Sequence, residues 1–143
     1  MNIIICKINY PNDPTNRLVP HQNFVGSFTD DKLILYSISS IMGKEFRVYH
    51  RDGTVNPDYF VLTGKVQIDC NLNAPSFIDC TKAYKLNLND QVNIQMLSHR
   101  NIPEKIREKI DEKIEEVKIE GKHTEYSISM EEFIRNNPKI KTT

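Results

Sequence analysis

The chain has 143 residues, 19 basic and 19 acidic side chains, a formal net charge of zero and 38% hydrophobic residues with no tryptophan. That is the size of one domain, which needs no disulfide staples, and balanced charge argues against a general nucleic-acid coat protein, which is strongly basic. No apolar run approaches the ~20 residues that cross a bilayer, and Cys6, Cys70 and Cys80 form no CxxC pair, so buried thiols in a reducing cytoplasm are the expectation.

Met1-Asn-Ile-Ile-Ile-Cys-Lys7 lacks the basic start and cleavage site of a signal peptide and reads as part of a first strand over residues 2–9. Residues 10–21, with three prolines, predict an irregular loop of the kind that often carries function. Asn23–Phe28 and Lys32–Ile38 flank Thr29-Asp30-Asp31 and predict a β-hairpin. A short irregular or helical stretch over 45–51 precedes the Asp52-Gly53 turn. Residues 58–69 read as one strand with a bend at Gly64, and residues 71–76 as a loop before Phe77–Cys80. The alternation in Gln91–Leu97 predicts a late strand.

Pro103 is expected at the first position of a helix whose stripe is Ile106, Ile110, Ile114 and Val117, ending at Gly121. Its mixed charges suit a solvated face over that stripe. Ser129-Met-Glu-Glu132 is a capping box for a short last helix, stopped by Asn137-Pro138. The expectation is a single α+β domain, 1–143, with a β-rich body over about 1–100 and a helical region over about 103–143. Five or six strands then give an α+β or small-barrel layout.

The histidines His21, His50, His99 and His123 are scattered, and HxxxH, HExxH, P-loop, GxGxxG and GxSxG patterns are absent. No metal and no cofactor is therefore expected. What stands out is a polar cluster at the open end of the hairpin. Ser37, Ser39 and Ser40 end its second arm, with Lys44, Arg47, His50 and Arg51 just beyond. The loop delivers Arg17 and His21 to the adjacent end of the first arm. Such a set suits metal-free RNA cleavage, in which the 2′-hydroxyl attacks its own phosphate and the protein moves protons and stabilises a dianion. Each residue also has a plainer reading: the serines as strand-end chemistry, the basic residues as surface charge, His21 as loop.

Asn23-Phe-Val-Gly, a turn, then Leu33-Ile-Leu-Tyr-Ser-Ile-Ser-Ser40 with Lys44 beyond resembles the central hairpin of PemK/MazF-fold toxins. The stretch Gly64–Asp79 is similar to the family's strand, proline-containing loop and Ile-Asp segment. Within the superfamily the chain looks like the type III ToxN, CptN and TenpN branch, CptN-like above all. The resemblance implies a compact SH3-like antiparallel β-barrel with C-terminal helices and a sequence-selective, metal-independent endoribonuclease that leaves a 2′,3′-cyclic phosphate. It also implies partners: a target mRNA and an inhibitory repetitive pseudoknot RNA that closes toxin and RNA into a ring, with no DNA and no membrane.

Carried over by position, Ser39 and Ser40 take the Thr/Ser-Ser place and Lys44 the active-site lysine. Arg17 or His21 takes the basic position of the loop. Lys7, Tyr10, Arg47, His50, Arg51, Ser76, His99 and Arg100 are the expected RNA contacts. The chain departs from the pattern at Asp69-Cys70, where some relatives carry arginine, and in the three residues between Ser40 and Lys44. Two other readings stay open: a non-catalytic RNA-binding module on a small barrel, and a MazF-like toxin inhibited by a protein.

Overall fold

β-branched Ile3, Ile4 and Ile5 favour extended chain, and strand β1 (Ile3–Cys6) forms there. The structure, a computed structural model, describes residues 1–13 and 17–142; Pro14, Thr15 and Asn16 of the proline-rich loop, and Thr143, lie outside the described residues. β1 runs antiparallel to β2 (His21–Phe28), pairing Cys6 with His21. The hairpin then turns through Thr29-Asp30-Asp31, where the Thr29 hydroxyl donates to Asp31 at 2.9 Å, into β3 (Lys32–Ser40). Asn23 stands opposite Ser37 and Phe24 opposite Tyr36, and the register shifts at Gly26. A Cβ there would lie 2.6 Å from Cε1 of Tyr36, so glycine leaves the space the tyrosine ring fills.

The chain continues through α1 (Glu45–Val48), β4 (Tyr59–Leu62), α2 (Gly64–Asp69), β5 (Ser76–Asp79) and β6 (Lys82–Asn87). Thus the single strand expected over 58–69 is a strand and a helix. Gly64 takes φ +58°, in the left-handed region that ends an extended run, and the chain coils beyond it. The strand expected over 91–97 is instead a 3₁₀ turn (Ile94–Leu97), because the Asn93 side chain accepts from Gln95 N and caps it. After β7 (Ser98–Arg100), α3 spans Glu104–Ile119 with Pro103 one position earlier than expected, at the N-cap. β8 (Thr124–Ser127) and α4 (Met130–Asn136) follow, so the C-terminal region is not helical throughout. Ser129 caps α4 by accepting from Glu132 N at 3.3 Å, as the capping box predicts.

The architecture is α+β. β3 pairs with β2 along one edge, and along the other with β6 over Lys32–Leu35 and with β5 over Ile38–Ser40. It is therefore shared by two sheets. The main path runs β4-β5-β3-β2-β1-β7, and β8 extends β6 in parallel. Among the described residues no pairing joins β4 to β7, so the sheet is open, not the closed antiparallel barrel expected.

Both faces of the sheet are covered. On one, Ile106, Ile110, Ile114 and Val117 of α3 pack on Ile3, Phe24, Tyr36 and Ile78. On the other, Ile4, Cys6, Val25, Leu35 and Tyr84 meet Ile94, Leu97, Phe133 and Ile140. Burying a stripe of large aliphatic side chains contributes ~1.5–3 kcal/mol each, which is what holds α3 in place. The three cysteines are buried and unpaired. Asn137 ties α4 to the stretch after β1: its Oδ1 accepts from Lys7 N at 2.9 Å, and its Nδ2 donates to Lys7 O and Phe133 O, both at 2.9 Å. No helix among the described residues is long and apolar enough to cross a membrane.

Candidate functional site

The open end of the hairpin borders a cleft of about 340 Å³, lined by His21, Ser37, Ser39, Lys44 and Arg47 together with Tyr10, Phe77, Asp79, Lys82 and Tyr84. Strand alternation explains which hairpin residues face it. Cys6 opposes His21, and Asn23 opposes Ser37, so these side chains share the face on which Cys6, Val25, Leu35 and Tyr84 are buried. Continuing the register sets His21 opposite Ser39.

Ser40, one residue on, belongs to the other face. It pairs with Ser76 and borders a second hollow of about 360 Å³ that shares His21 and Ser39 with the cleft and is otherwise lined by residues such as Gln22, Ile38 and Leu72, and its hydroxyl accepts from Met42 N at 3.3 Å. Ser39 lines the cleft that holds Lys44, and Ser40 meets Ser39 only in the adjoining hollow.

Beyond Ser40 the chain turns through Gly43, at φ +82°, a conformation glycine adopts without a Cβ penalty, and Lys44 then caps α1 by position. Lys44 and Arg47 are three apart, hence on one side of the helical turn, and both reach the cleft. Arg47 is held by an aromatic shelf. Its guanidinium donates to the Tyr59 hydroxyl at 3.2 Å and lies 5.8 Å from the Phe77 ring centroid, with Tyr59 and Phe77 stacked at 5.0 Å. In the same cleft Lys82 pairs with Asp79 at 3.4 Å.

Tyr10 stands edge-on to both His21 (5.9 Å) and Tyr84 (4.7 Å). Its hydroxyl donates to Oδ1 of Asn23 at 3.2 Å, while Nδ2 of Asn23 donates to His21 O at 3.2 Å. The Tyr84 hydroxyl donates to Oδ1 of Asn12 at 2.8 Å. Burial pushes the Tyr10 phenol up to about 12, so it stays protonated. Burial, and then the nearby Lys44 charge, lower the His21 imidazole below its ordinary range and keep it neutral at pH 7. Its Nε2, sheltered from solvent, has no protein hydrogen-bond partner.

The remaining candidates lie elsewhere. Arg17 is exposed, with its carbonyl accepting from Val19 N, and is not among the cleft-lining residues. Lys7 is engaged through its backbone by Asn137. His50 and Arg51 border a shallow groove with Glu45, Phe46 and Tyr49. Arg100 opposes Ile3, on the α3 face, and donates to the carbonyls of Cys70 and Asn71, with His99 beside it. That pair is therefore turned away from the cleft.

Sequence reasoning missed Asn23, Tyr84 and Lys82. The signal for Asn23 was its place opposite Ser37, at the polar end of the hairpin. Tyr84 and Lys82 had none, because β6 reaches the cleft only through its pairing with β3.

Chemically the cleft offers a neutral imidazole, the hydroxyls of Ser37 and Ser39, the cations Lys44, Arg47 and Lys82, and the carboxylates Asp13 and Asp79, Lys82 being paired with Asp79, with tyrosines beside them. Among the described residues no group of three or more His, Cys, Asp or Glu side chains could hold a metal ion. No family model, curated protein or solved structure matches this chain.

Proposed function

We propose that the protein is a metal-independent endoribonuclease acting in the cleft between His21, Ser39, Lys44 and Arg47. The observation that carries this reading is the convergence of those four side chains from two hairpin arms and α1 on one space. In the proposed reaction neutral His21 takes the proton of the 2′-hydroxyl. The 2′ oxygen bonds to phosphorus, the bond to the 5′ oxygen breaks, and that oxygen receives a proton from the Lys44 ammonium. The products are a 2′,3′-cyclic phosphate and a 5′-hydroxyl. Lys44 and Arg47 neutralise the dianionic transition state, and Ser39 donates a hydrogen bond to it. Tyr10 and Asn23 are positioning residues for His21.

The finer architecture we propose is a small SH3-like barrel of the PemK/MazF kind with an unclosed seam, a reading supported by the long hairpin strand shared between two sheets. The biological setting we propose is a type III toxin held by a repetitive pseudoknot RNA. Tandem repeats in the DNA upstream of the coding region are the expected sign, and a small upstream reading frame in their place would point to a protein inhibitor.

Pure protein incubated with RNA in excess EDTA should yield fragments ending in 2′,3′-cyclic phosphate. Lys44→Ala should slow cleavage on the order of 100-fold, the size of effect seen when one donor to a transition-state oxyanion is removed. RNA bound but left intact would favour a non-catalytic binding module. RNA neither bound nor cut would remove the nuclease reading.

A further inference from the structure

The segment that brings Lys44 and Arg47 to the cleft carries a second feature on its other side. Phe46 is 80% exposed, a costly position for an aromatic ring. Phe46 on α1 and Tyr49 and His50 in the extended chain that follows it border one shallow groove with Glu45 and Arg51. Tyr49 is half-buried against Ile41, Val48 and Phe77, which fixes the floor.

We propose that Phe46 is a stacking platform for an unpaired nucleobase of single-stranded RNA, adjoining the phosphate that Lys44 and Arg47 hold. This deepens the nuclease reading and rests on it. Two properties favour a nucleobase over an apolar peptide side chain. The groove is walled by aromatic rings and the flat guanidinium of Arg51, not by aliphatic side chains. Arg51 on the groove, together with Lys44 and Arg47 of the same segment facing the cleft, supplies positive charge on both sides of α1 to complement a phosphodiester backbone. The one carboxylate on the groove, Glu45, is occupied in part by accepting from Gly43 N at 3.2 Å. A strand crossing α1 then has its phosphate on one side of the four-residue helix and its base on the other. Stacking of this kind tolerates every base, so the platform adds affinity and orientation rather than sequence choice.

The test uses a short single-stranded RNA, 2′-O-methylated to block cleavage, with 2-aminopurine as the reporting base at successive positions. Wild-type protein should quench 2-aminopurine at one position only. Phe46→Ala and Phe46→Leu should both abolish that quench and weaken binding on the order of tenfold, while Phe46→Tyr keeps both. On unmodified RNA the cyclic-phosphate products should persist in Phe46→Ala, formed with a higher KM. Binding and quenching unchanged in Phe46→Ala, with cleavage intact, would overturn the platform and leave the nuclease reading standing. Binding retained by Phe46→Leu would reduce Phe46 to a greasy contact and also overturn it. No binding of RNA by the wild type would overturn both. Because Phe46 is 80% exposed, an unchanged melting temperature in each variant separates these outcomes from misfolding.

Discussion

At the scale of single residues, the pairing of His21 with Lys44 has a measurable electrostatic signature. Burial lowers the imidazole first and the ammonium charge lowers it further, so a proton binds to folded His21 only below its ordinary range. A general base must be deprotonated, so cleavage should be lost as pH falls through that depressed value and not before. Lys44→Met removes the charge and leaves the burial. The NMR titration midpoint of the His21 ring should then move up towards 6.5, and an unmoved midpoint would place the two groups out of electrostatic contact. The residues of this pair were legible in the sequence because the ends of a hairpin are adjacent by geometry. Ser39 and Ser40 differ in their surroundings because consecutive residues in a strand face opposite ways: Ser39 lines the cleft with Lys44, whereas both serines border the neighbouring hollow.

Among the elements, the hairpin, α3 and α4 could be read from local pattern: two apolar arms around a turn, a stripe every three or four residues, and a capping box. β8 could not, since Thr-Glu-Tyr-Ser has no apolar alternation and is a strand only through parallel pairing with β6. The coil of α2 was hidden by its β-branched Val66 and Ile68, residues that read as strand until Gly64 redirects the chain.

Two substitutions test how elements are held. Gly26→Ala drives a methyl against the buried Tyr36 ring, whose hydroxyl is engaged with Nε2 of His123 at 2.8 Å and so resists moving. Overpacking of that kind costs about 1–3 kcal/mol, to be read from urea denaturation. Asn137→Ala strips partners from the Lys7 amide and carbonyl together. It should cost about 1–3 kcal/mol and speed hydrogen exchange at Lys7 and its neighbours before exchange in α3 rises.

For the whole molecule, stability should form a plateau bounded by two families of titration. His21, His99 and His123 all have lowered proton affinity, each chiefly from burial. The unfolded chain therefore binds more protons than the folded one below about 6.5, and stability falls as pH drops through that window. Cys6 and Cys80 are pushed up to about 12 from 9.0 by burial, so their thiols hold protons that the unfolded chain releases. Stability should then decline again as pH rises above 9.0. Melting temperatures recorded across that range should show both shoulders, and a flat profile would contradict the burial of these groups.

The bond pair between Lys7 and Asn137 spans 130 positions of sequence. Protein synthesis is vectorial, so the ribosome delivers the Tyr10 side of the cleft long before the segment that anchors it. A growing polypeptide lacks that anchor until α4 has emerged, so the stretch after β1 is among the last features to be fixed. If the proposed nuclease reading holds, this delay separates the act of being translated from the ability to attack the message being read.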